Sequence, residues 1–180
     1  MMPIGNTADF DERFFRCALG RFATGVTIVT TLDASGAPVG LTANSFCSVS
    51  LAPPLILWSL NIGARSLSVF RAAKRFNVNV LASHQSKLSD LFGRPAADPS
   101  RDARFEQVQY VSGPTGVPLI EGCCAWFECV SKSHYYEGDH IIFVARVERC
   151  GLGDEQPLAF HGGKYCYPKS LEAFTMEDGV

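Results

Sequence analysis

Small polar side chains are concentrated in residues 40–50, which read GLTANSFCSVS. Hydroxyl and amide groups donate and accept hydrogen bonds without carrying charge, so they suit the polar edges of a large ligand. The segment has no cation and no nucleophile with a base beside it. It therefore predicts a surface that holds a large polar cofactor, with the amide of Asn44 and the hydroxyls of Ser45, Ser48 and Ser50 as candidate contacts. An ordinary hydroxyl-rich strand is the alternative.

Ionisable groups that could complete such a site lie in two other places. His140 follows a tight turn and begins a predicted strand, where it could position a carboxamide or pair with a phosphate while Asp139 orients it. A surface histidine or a satisfied core histidine is the alternative. Asn61 and the pair Arg65 and Ser66 follow another predicted strand, and an arginine beside a helix N-terminus suits a phosphate.

Several other chemistries lack their motifs. No glycine-rich fingerprint opens a helix after a strand and no P-loop is present, so a nucleotide would be held by other means. No G-x-S-x-G supports serine hydrolysis, and Ser45 has no assigned base. Cys129, His134 and His140 could be combined into a metal site, but no closely spaced pair of ligands such as C-x-x-C supports it.

The elements that would position these residues are mostly strands. Runs of alternating or β-branched residues predict strands at residues 25–32, 38–42, 47–50, 55–60, 76–81, 123–136 and 140–150. Predicted short helices are capped by Asp9 or Asp11, by Ser66 and by Ser83. Strands that return through tight turns predict a mostly β (α+β) fold, an antiparallel barrel with peripheral helices.

Two of these regions carry more specific expectations. Asn77 and Asn79 alternate with apolar residues in the run 76–81, which predicts a strand with one side facing solvent. Residues 93–104 form a polar loop with two prolines. This loop is either a lid or interface loop or a solvated connector.

Composition narrows the class of protein. The 180 residues suffice for one domain, and a net charge of −2 argues against nucleic acid as a partner. No apolar run approaches the roughly 20 residues that span a bilayer, and no secretory signal is visible. Seven cysteines without a C-x-x-C pair favour a reducing cytoplasm. With 47% apolar and only 19% charged residues, part of the protein's surface is expected to be covered, for example by a partner subunit.

Several ordered motifs resemble one family. Residues 21–30 (RFATGVTIVT), residues 40–50 followed by Pro53-Pro54-Leu55, residues 137–140 (EGDH) and residues 157–165 (PLAFHGGKY) are similar to the flavin reductase-like family. Its members are short-chain NAD(P)H:flavin oxidoreductases with an FMN-binding split-barrel fold. The resemblance covers residues 10–168, which leaves residues 1–9 and 169–180 as expected flexible termini.

The resemblance implies an antiparallel split β-barrel of Greek-key type, a homodimer, and a site for FMN or FAD beside NADH or NADPH. It makes His140 the candidate catalytic residue, next to flavin and nicotinamide. The residues that it assigns to the cofactor site are Gly40, Leu41, Thr42, Ala43, Asn44, Ser45, Ser48, Val49, Ser50, Ser59, Asn61, Ser66, Phe92, Gly93, Asp139 and His140.

It also implies a role in a larger system, because many relatives supply reduced flavin to a separate oxygenase that hydroxylates an aromatic compound. Hydride transfer from nicotinamide to flavin needs no general base from the protein. A non-enzymatic flavin carrier or sensor of the same fold is the alternative. A domain without cofactor, with Trp126 and Phe127 at a dimer interface, is a third.

Overall fold

The computed structural model describes residues 11–96 and 102–169. Within these ranges short helices surround a large antiparallel sheet. The helices are α1 Glu12–Leu19, α2 Leu67–Ala72 and α3 Ser86–Gly93, and 3-10 turns cover Ser83–Gln85 and Ala103–Gln107. The strands are β1 Thr24–Gly25, β2 Thr27–Leu32, β3 Pro38–Ala43, β4 Cys47–Leu51, β5 Pro54–Asn61, β6 Arg75–Val80, β7 Tyr110–Ser112, β8 Pro118–Ile120, β9 Ala125–Glu137, β10 His140–Leu152, β11 Ala159–His161 and β12 Lys164–Cys166.

The main sheet has seven strands in the order β3-β2-β6-β9-β10-β5-β4. Neighbouring strands pair antiparallel, and the long β9–β10 hairpin turns at Gly138, whose φ of 57° favours glycine. The connection between β3 and β4 returns to β5, where the Ser45 hydroxyl bonds to the backbone of Ser59. The predicted antiparallel split β-barrel is thereby confirmed.

Aromatic side chains fill the inside of the barrel. Trp58 of β5 is fully buried and stacks on Phe143 of β10 with ring centroids 4.7 Å apart. The edges of Phe70 and Phe76 meet the same indole. Such pairs bury large apolar areas and fix the packing geometry. Because β5 and β10 are held by this core, their polar ends, Asn61 and His140, are placed opposite each other.

The prediction that β6 has a solvent-facing side was wrong. Asn77 and Asn79 are 1% and 0% exposed, because β8 covers them from outside the sheet. The Asn79 amide donates to the Ile28 carbonyl at 3.0 Å and accepts from the Ile120 N–H at 2.9 Å. Asn77 donates to the carbonyl of Pro118 at 3.2 Å. Buried amides are tolerated where they are hydrogen-bonded, and here they attach β8 to the sheet.

Helix capping was predicted correctly at one of three places. Asp11 caps α1 by accepting a bond from the Phe14 N–H at 2.7 Å, whereas Asp9 lies outside the described residues. Ser66 precedes α2 but makes no capping hydrogen bond with its side chain. Ser83 starts a 3-10 turn, and α3 begins only at Ser86, because the Gln85 side chain bonds to the N–H of Ala82. None of the described helices is long and apolar enough to span a membrane.

Candidate functional site

A cavity of about 210 Å³ opens between β3, the start of α2 and the end of α3. It is lined by Val39, Gly40, Leu41, Thr42, Leu60, Ala64, Arg65, Ser66, Val69, Phe92, Gly93, Arg94, Pro95, Ala96, Asp102 and Arg104. Six of the predicted cofactor residues are therefore brought together: Gly40, Leu41, Thr42, Ser66, Phe92 and Gly93. Ligand sites are commonly about 300–1,000 Å³, so this cavity would enclose only part of a nucleotide-sized ligand.

Gly40 is required for the shape of the cavity wall. A Cβ at this position would lie 2.9 Å from Cε1 of Phe92 and 3.1 Å from Cζ of Phe105. These rings pack edge to face with centroids 5.0 Å apart, so neither can move freely. The absence of a side chain at Gly40 therefore lets α3 approach β3 and places Phe92 at the cavity.

Positive charge surrounds the mouth of the cavity. Arg65 and Arg94 are exposed and line it, and Nη1 of Arg65 donates to the Ala96 carbonyl at 3.4 Å. The other lining arginine, Arg104, is paired with the buried carboxylate of Asp102. Apolar walls beside two exposed guanidinium groups fit a flat ring that carries a phosphate. The donor set is thus compatible with FMN or FAD, as the resemblance implies.

Two of the predicted hydroxyl groups are used within the protein. The Thr42 hydroxyl donates to the Ser89 carbonyl of α3 at 2.7 Å. The Ser45 hydroxyl accepts from the Ser59 N–H at 2.9 Å and donates to the Ser59 carbonyl at 3.1 Å. Thr42 therefore holds α3 against β3, while Ser45 joins the β3–β4 connection to β5. Ser45 and Ser59 contact each other but do not line the cavity.

Five other residues of the predicted set are not among the residues that line the cavity. Ala43 is buried in the barrel core and Asn44 is exposed in the connection that follows β3. Ser48, Val49 and Ser50 belong to β4, the edge strand, where the pairing with β5 is irregular. The structure does not bring these five residues together with the cavity lining.

Asn61, Asp139 and His140 form a separate hydrogen-bonded cluster at the adjoining ends of β5 and β10. Nδ1 of His140 lies 2.7 Å from Oδ1 of Asp139, and Nδ2 of Asn61 lies 3.4 Å from its Oδ2. The His140 side chain is 44% exposed, so its ring remains accessible. A carboxylate can only accept, so Nδ1 carries the proton and Nε2 is directed away from Asp139.

One turn of chain connects this cluster to the cavity. The Ile62 N–H donates to the Asp139 carbonyl at 2.9 Å, and the Gly63 N–H donates to Oδ1 of Asn61 at 2.8 Å. Ala64, which lines the cavity, donates its N–H to the Asn61 carbonyl at 3.0 Å. Residues 61–64 therefore connect the histidine cluster directly to the wall of the cavity.

The electrostatics of the cluster follow from the same contacts. The hydrogen bond from His140 lowers the pKa of the Asp139 carboxyl below its ordinary value of 3.8. Asp139 is therefore ionised at neutral pH and fixes the tautomer of His140. Within residues 11–96 and 102–169 no group of three or more metal-ligand side chains is placed to hold a metal ion, and Cys129 is buried in the barrel core.

The sequence did not identify Asp102 and Arg104 as parts of the site. Residues 93–104 were predicted to be a lid, an interface loop or a solvated connector, and residues 97–101 lie outside the described residues. Asp102 is 8% exposed and Arg104 is half-buried, so at these positions the loop is not a solvated connector. The sequence signal that could have indicated packing is the aromatic residue Phe105 beside them, whose ring is buried in the structure.

Comparisons with known proteins agree on one assignment. Residues 19–169 match the family model described as "Flavin reductase like domain". The chain is 43% identical over 163 residues to a probable flavin reductase of Rhizobium meliloti (strain 1021), covering 89% of this chain and 50% of that protein. It thus spans about half the length of this relative. It is also 38% identical to the reductase subunit HsaB of a flavin-dependent monooxygenase from Rhodococcus jostii (strain RHA1), covering 86% of this chain and 77% of HsaB.

A solved structure extends the similarity to three dimensions. The NADH:FAD oxidoreductase SgcE6 of Streptomyces globisporus C-1027, in complex with NAD and FAD fragments, superposes with a TM-score of 0.80 at 34% identity. The match covers 92% of this chain and 95% of SgcE6.

Proposed function

This chain belongs to the flavin reductase-like family, and from that premise we propose that it is an NAD(P)H:flavin oxidoreductase. It reduces FMN or FAD with NADH, or with NADPH, and releases the reduced flavin to a separate oxygenase that hydroxylates an aromatic compound. The observation that carries this proposal is the cavity lined by Gly40 and Phe92, with Arg65 and Arg94 at its mouth. A single turn, residues 61–64, separates the cavity from the Asp139–His140 pair.

The residues have distinct roles in this proposal. The apolar walls of the cavity bind part of the flavin ring, and the exposed guanidinium groups of Arg65 and Arg94 bind phosphate. Asp139 orients His140, whose Nε2 is then available to hold the carboxamide of a nicotinamide. When bound, the flavin and the nicotinamide supply the redox chemistry themselves, so the protein needs only to align them and exclude water.

A cavity that encloses only part of the ligand also supports release of flavin. A group that diffuses to another protein should bind with moderate affinity and remain accessible from one side. The partner itself is proposed from HsaB, which is named as the reductase subunit of a monooxygenase. The aromatic substrate would be selected by that partner.

We propose further that the protein acts as a homodimer in the cytoplasm. Leu19 and Phe22, in and just after α1, are 58% and 77% exposed, and α1 buries none of its residues in the chain itself. A second copy would cover this surface. All seven cysteines are free thiols, which supports a reducing compartment, and burial raises the pKa of Cys123 and Cys129 to about 12.

The deciding experiment is NADH oxidation by the purified protein with FMN, FAD, riboflavin or no flavin added. Turnover that saturates with added flavin supports a reductase. A preference for FMN over riboflavin that is lost in Arg65→Ala supports a phosphate contact, because riboflavin lacks the phosphate. Lys87→Ala, which removes an exposed cation away from the cavity lining, is the control. Tight flavin binding without NADH oxidation would instead support the carrier or sensor of the same fold.

A further inference from the structure

The guanidinium group of Arg104 has no donor left for a ligand. Its Nε donates to Oδ1 of Asp102 at 2.6 Å, and Nη2 donates to Oδ2 of Asp102 at 2.6 Å and to the Gly40 carbonyl at 2.7 Å. Its Nη1 donates to the carbonyls of Phe92, at 3.2 Å, and Arg94. A guanidinium has five N–H donors, and all five are used here. Arg104 therefore differs from Arg65 and Arg94, and it is not a phosphate ligand.

Asp102 and Arg104 take the place of a neighbouring strand at the edge of β3. β3 is the first strand of the sheet, so one side of it has no partner strand. At Gly40 on that side the carbonyl accepts from Arg104, and the N–H donates to Oδ2 of Asp102 at 3.3 Å. The two side chains are only 4% and 12% exposed, so they satisfy this backbone away from water. The pair is buried and joined by two parallel hydrogen bonds, so the relative orientation of the two side chains is fixed.

The same guanidinium holds the end of α3. The last carbonyls of a helix have no partner within the helix, and positive charge is favourable there. Arg104 donates to the carbonyls of Phe92 and Arg94, and its Cζ lies 4.8 Å from the centre of the Phe92 ring. One side chain thus connects Gly40 with residues 92–94, and all of these residues line the cavity.

We propose that Arg104, oriented by Asp102, is a positioning residue that sets the affinity for flavin by fixing the wall formed by Gly40 and residues 92–94. The inference rests on the proposed function, since it takes flavin as the ligand of the cavity. Arg104 acts through the wall and not by contact with the nicotinamide. Its loss should therefore affect flavin binding much more than the use of NADH, which depends on His140 on a different strand.

The test compares Arg104→Lys with Arg149→Lys. Lysine keeps the charge but offers at most three donors and no planar fork, so it cannot satisfy all five acceptors. Arg149 forms another pair with a buried carboxylate, that of Glu128, which is 2% exposed, and neither residue lines the cavity. Arg149→Lys therefore controls for the general cost of weakening a buried ion pair.

The first readout is the dissociation constant of FMN and of FAD, measured without NADH by quenching of flavin fluorescence. We expect Arg104→Lys to raise it by about tenfold, because a wall that has lost these hydrogen bonds is less ordered and flavin binding must restore its shape. The KM for NADH at saturating flavin should stay within about twofold of the original, because lost ground-state binding of one ligand need not change the other. Arg149→Lys should change neither constant by more than about twofold.

The second readout is hydrogen–deuterium exchange of the unliganded protein. In Arg104→Lys, amide protection should fall in residues 38–43 and 86–96 and remain unchanged in β9 and β10. Asp102→Asn, which keeps the shape of the side chain and loses its charge, is the second variant if Arg104→Lys does not fold. It should give the same pattern with a smaller rise in the flavin dissociation constant.

Three results would overturn the inference. They are an unchanged flavin dissociation constant in both Arg104→Lys and Asp102→Asn, an equal rise in Arg149→Lys, or a loss of protection spread evenly over the chain. A protein that binds flavin but does not oxidise NADH would refute the proposed function and leave this inference intact. Normal NADH oxidation together with an unchanged flavin dissociation constant in the variants would support the proposed function and refute this inference.

Discussion

Nδ1 of His140 lies 2.7 Å from Oδ1 of Asp139, so two consecutive residues hold each other's side chains at the turn between the two longest strands. Asn61 of β5 adds a contact to the other carboxylate oxygen. A histidine held in this way presents one ring nitrogen in a fixed direction. The orientation of the ring depends directly on Asp139, the preceding residue, which in turn contacts Asn61 of β5.

Removing the imidazole should impair the use of NADH. In His140→Ala we expect kcat/KM for NADH to fall by about 10- to 100-fold, the effect of losing one oriented hydrogen bond of about 1.5–3 kcal/mol. The flavin dissociation constant should remain within about twofold. His134→Ala, on the neighbouring strand of the same hairpin, is the matched control. Steady-state kinetics at saturating flavin measure the effect, and an unchanged kcat/KM in His140→Ala would exclude the proposed role.

The Asp139 carboxyl should titrate below 3.8, because the hydrogen bond from His140 favours its ionised form. NMR titration of the carboxyl carbon measures this midpoint. In His140→Ala the midpoint should rise toward 3.8. The carboxyl of Asp33, whose pKa is lowered mainly by the Ser35 hydroxyl, is an internal control and should not change.

The sign of the effect on stability follows from the lowered pKa. Because the folded-state pKa of Asp139 lies below the unfolded value, the contact stabilises the folded protein above pH 3.8. This contribution is lost as the pH falls through the lowered folded value. The part of the Tm difference between the original protein and His140→Ala that comes from this contact should therefore decrease in that acid range. A difference that grows on acidification would contradict this assignment.

Adding one methyl group at Gly40 should disturb the cavity wall. The new Cβ would lie 2.9 Å from the Phe92 ring, so Gly40→Ala is expected to destabilise the protein by about 1–3 kcal/mol and to weaken flavin binding. Denaturant unfolding and flavin fluorescence measure the two effects. Gly25→Ala, where no atom lies within 4 Å of the new Cβ, is the control and should cost less than about 0.5 kcal/mol. Adding Phe92→Leu to Gly40→Ala should recover part of the lost stability, and failure to do so would locate the strain elsewhere.

The surface at α1 should control association of two copies. A charge at the 77% exposed Phe22 would be buried without a partner in the proposed interface, so Phe22→Asp should shift a dimer toward monomer. Leu152→Asp places the same charge at a residue that is 91% exposed and should leave the dimer intact. Sedimentation velocity over a range of concentrations distinguishes these results. A monomeric original protein, or dissociation only in Leu152→Asp, would contradict the proposed interface.

The strands of the main sheet could be predicted from the sequence because their signal is local. Alternation and turn residues placed β2, β3, β5, β9 and β10 within a few residues of their observed bounds. Polar alternation in β6 was misleading, because a hydrogen-bonded amide under a second layer produces the same pattern as an amide in water. The two cases are distinguished by long-range contacts, such as the pairing of Asn79 with Ile120, 41 positions along the chain.

The site was predictable only in part. Residues 40–42 and residues 92 and 93 could be assigned through a resemblance, and they meet in the cavity. Arg104 could not be assigned, because its role comes from a bond to Gly40, 64 positions away. A charged residue in a polar loop is ordinarily solvated. No local pattern indicates that this one is buried.

The closure of β3 by two side chains has a consequence for assembly. A sheet has two edges, and growth from copy to copy into a fibre would require the β3 edge of one molecule to pair with the β4 edge of the next. Asp102 and Arg104 already occupy the backbone groups of β3 at Gly40. The β3 edge is therefore closed at Gly40, and a strand from another molecule could pair along it there only after the Asp102–Arg104 pair had been displaced.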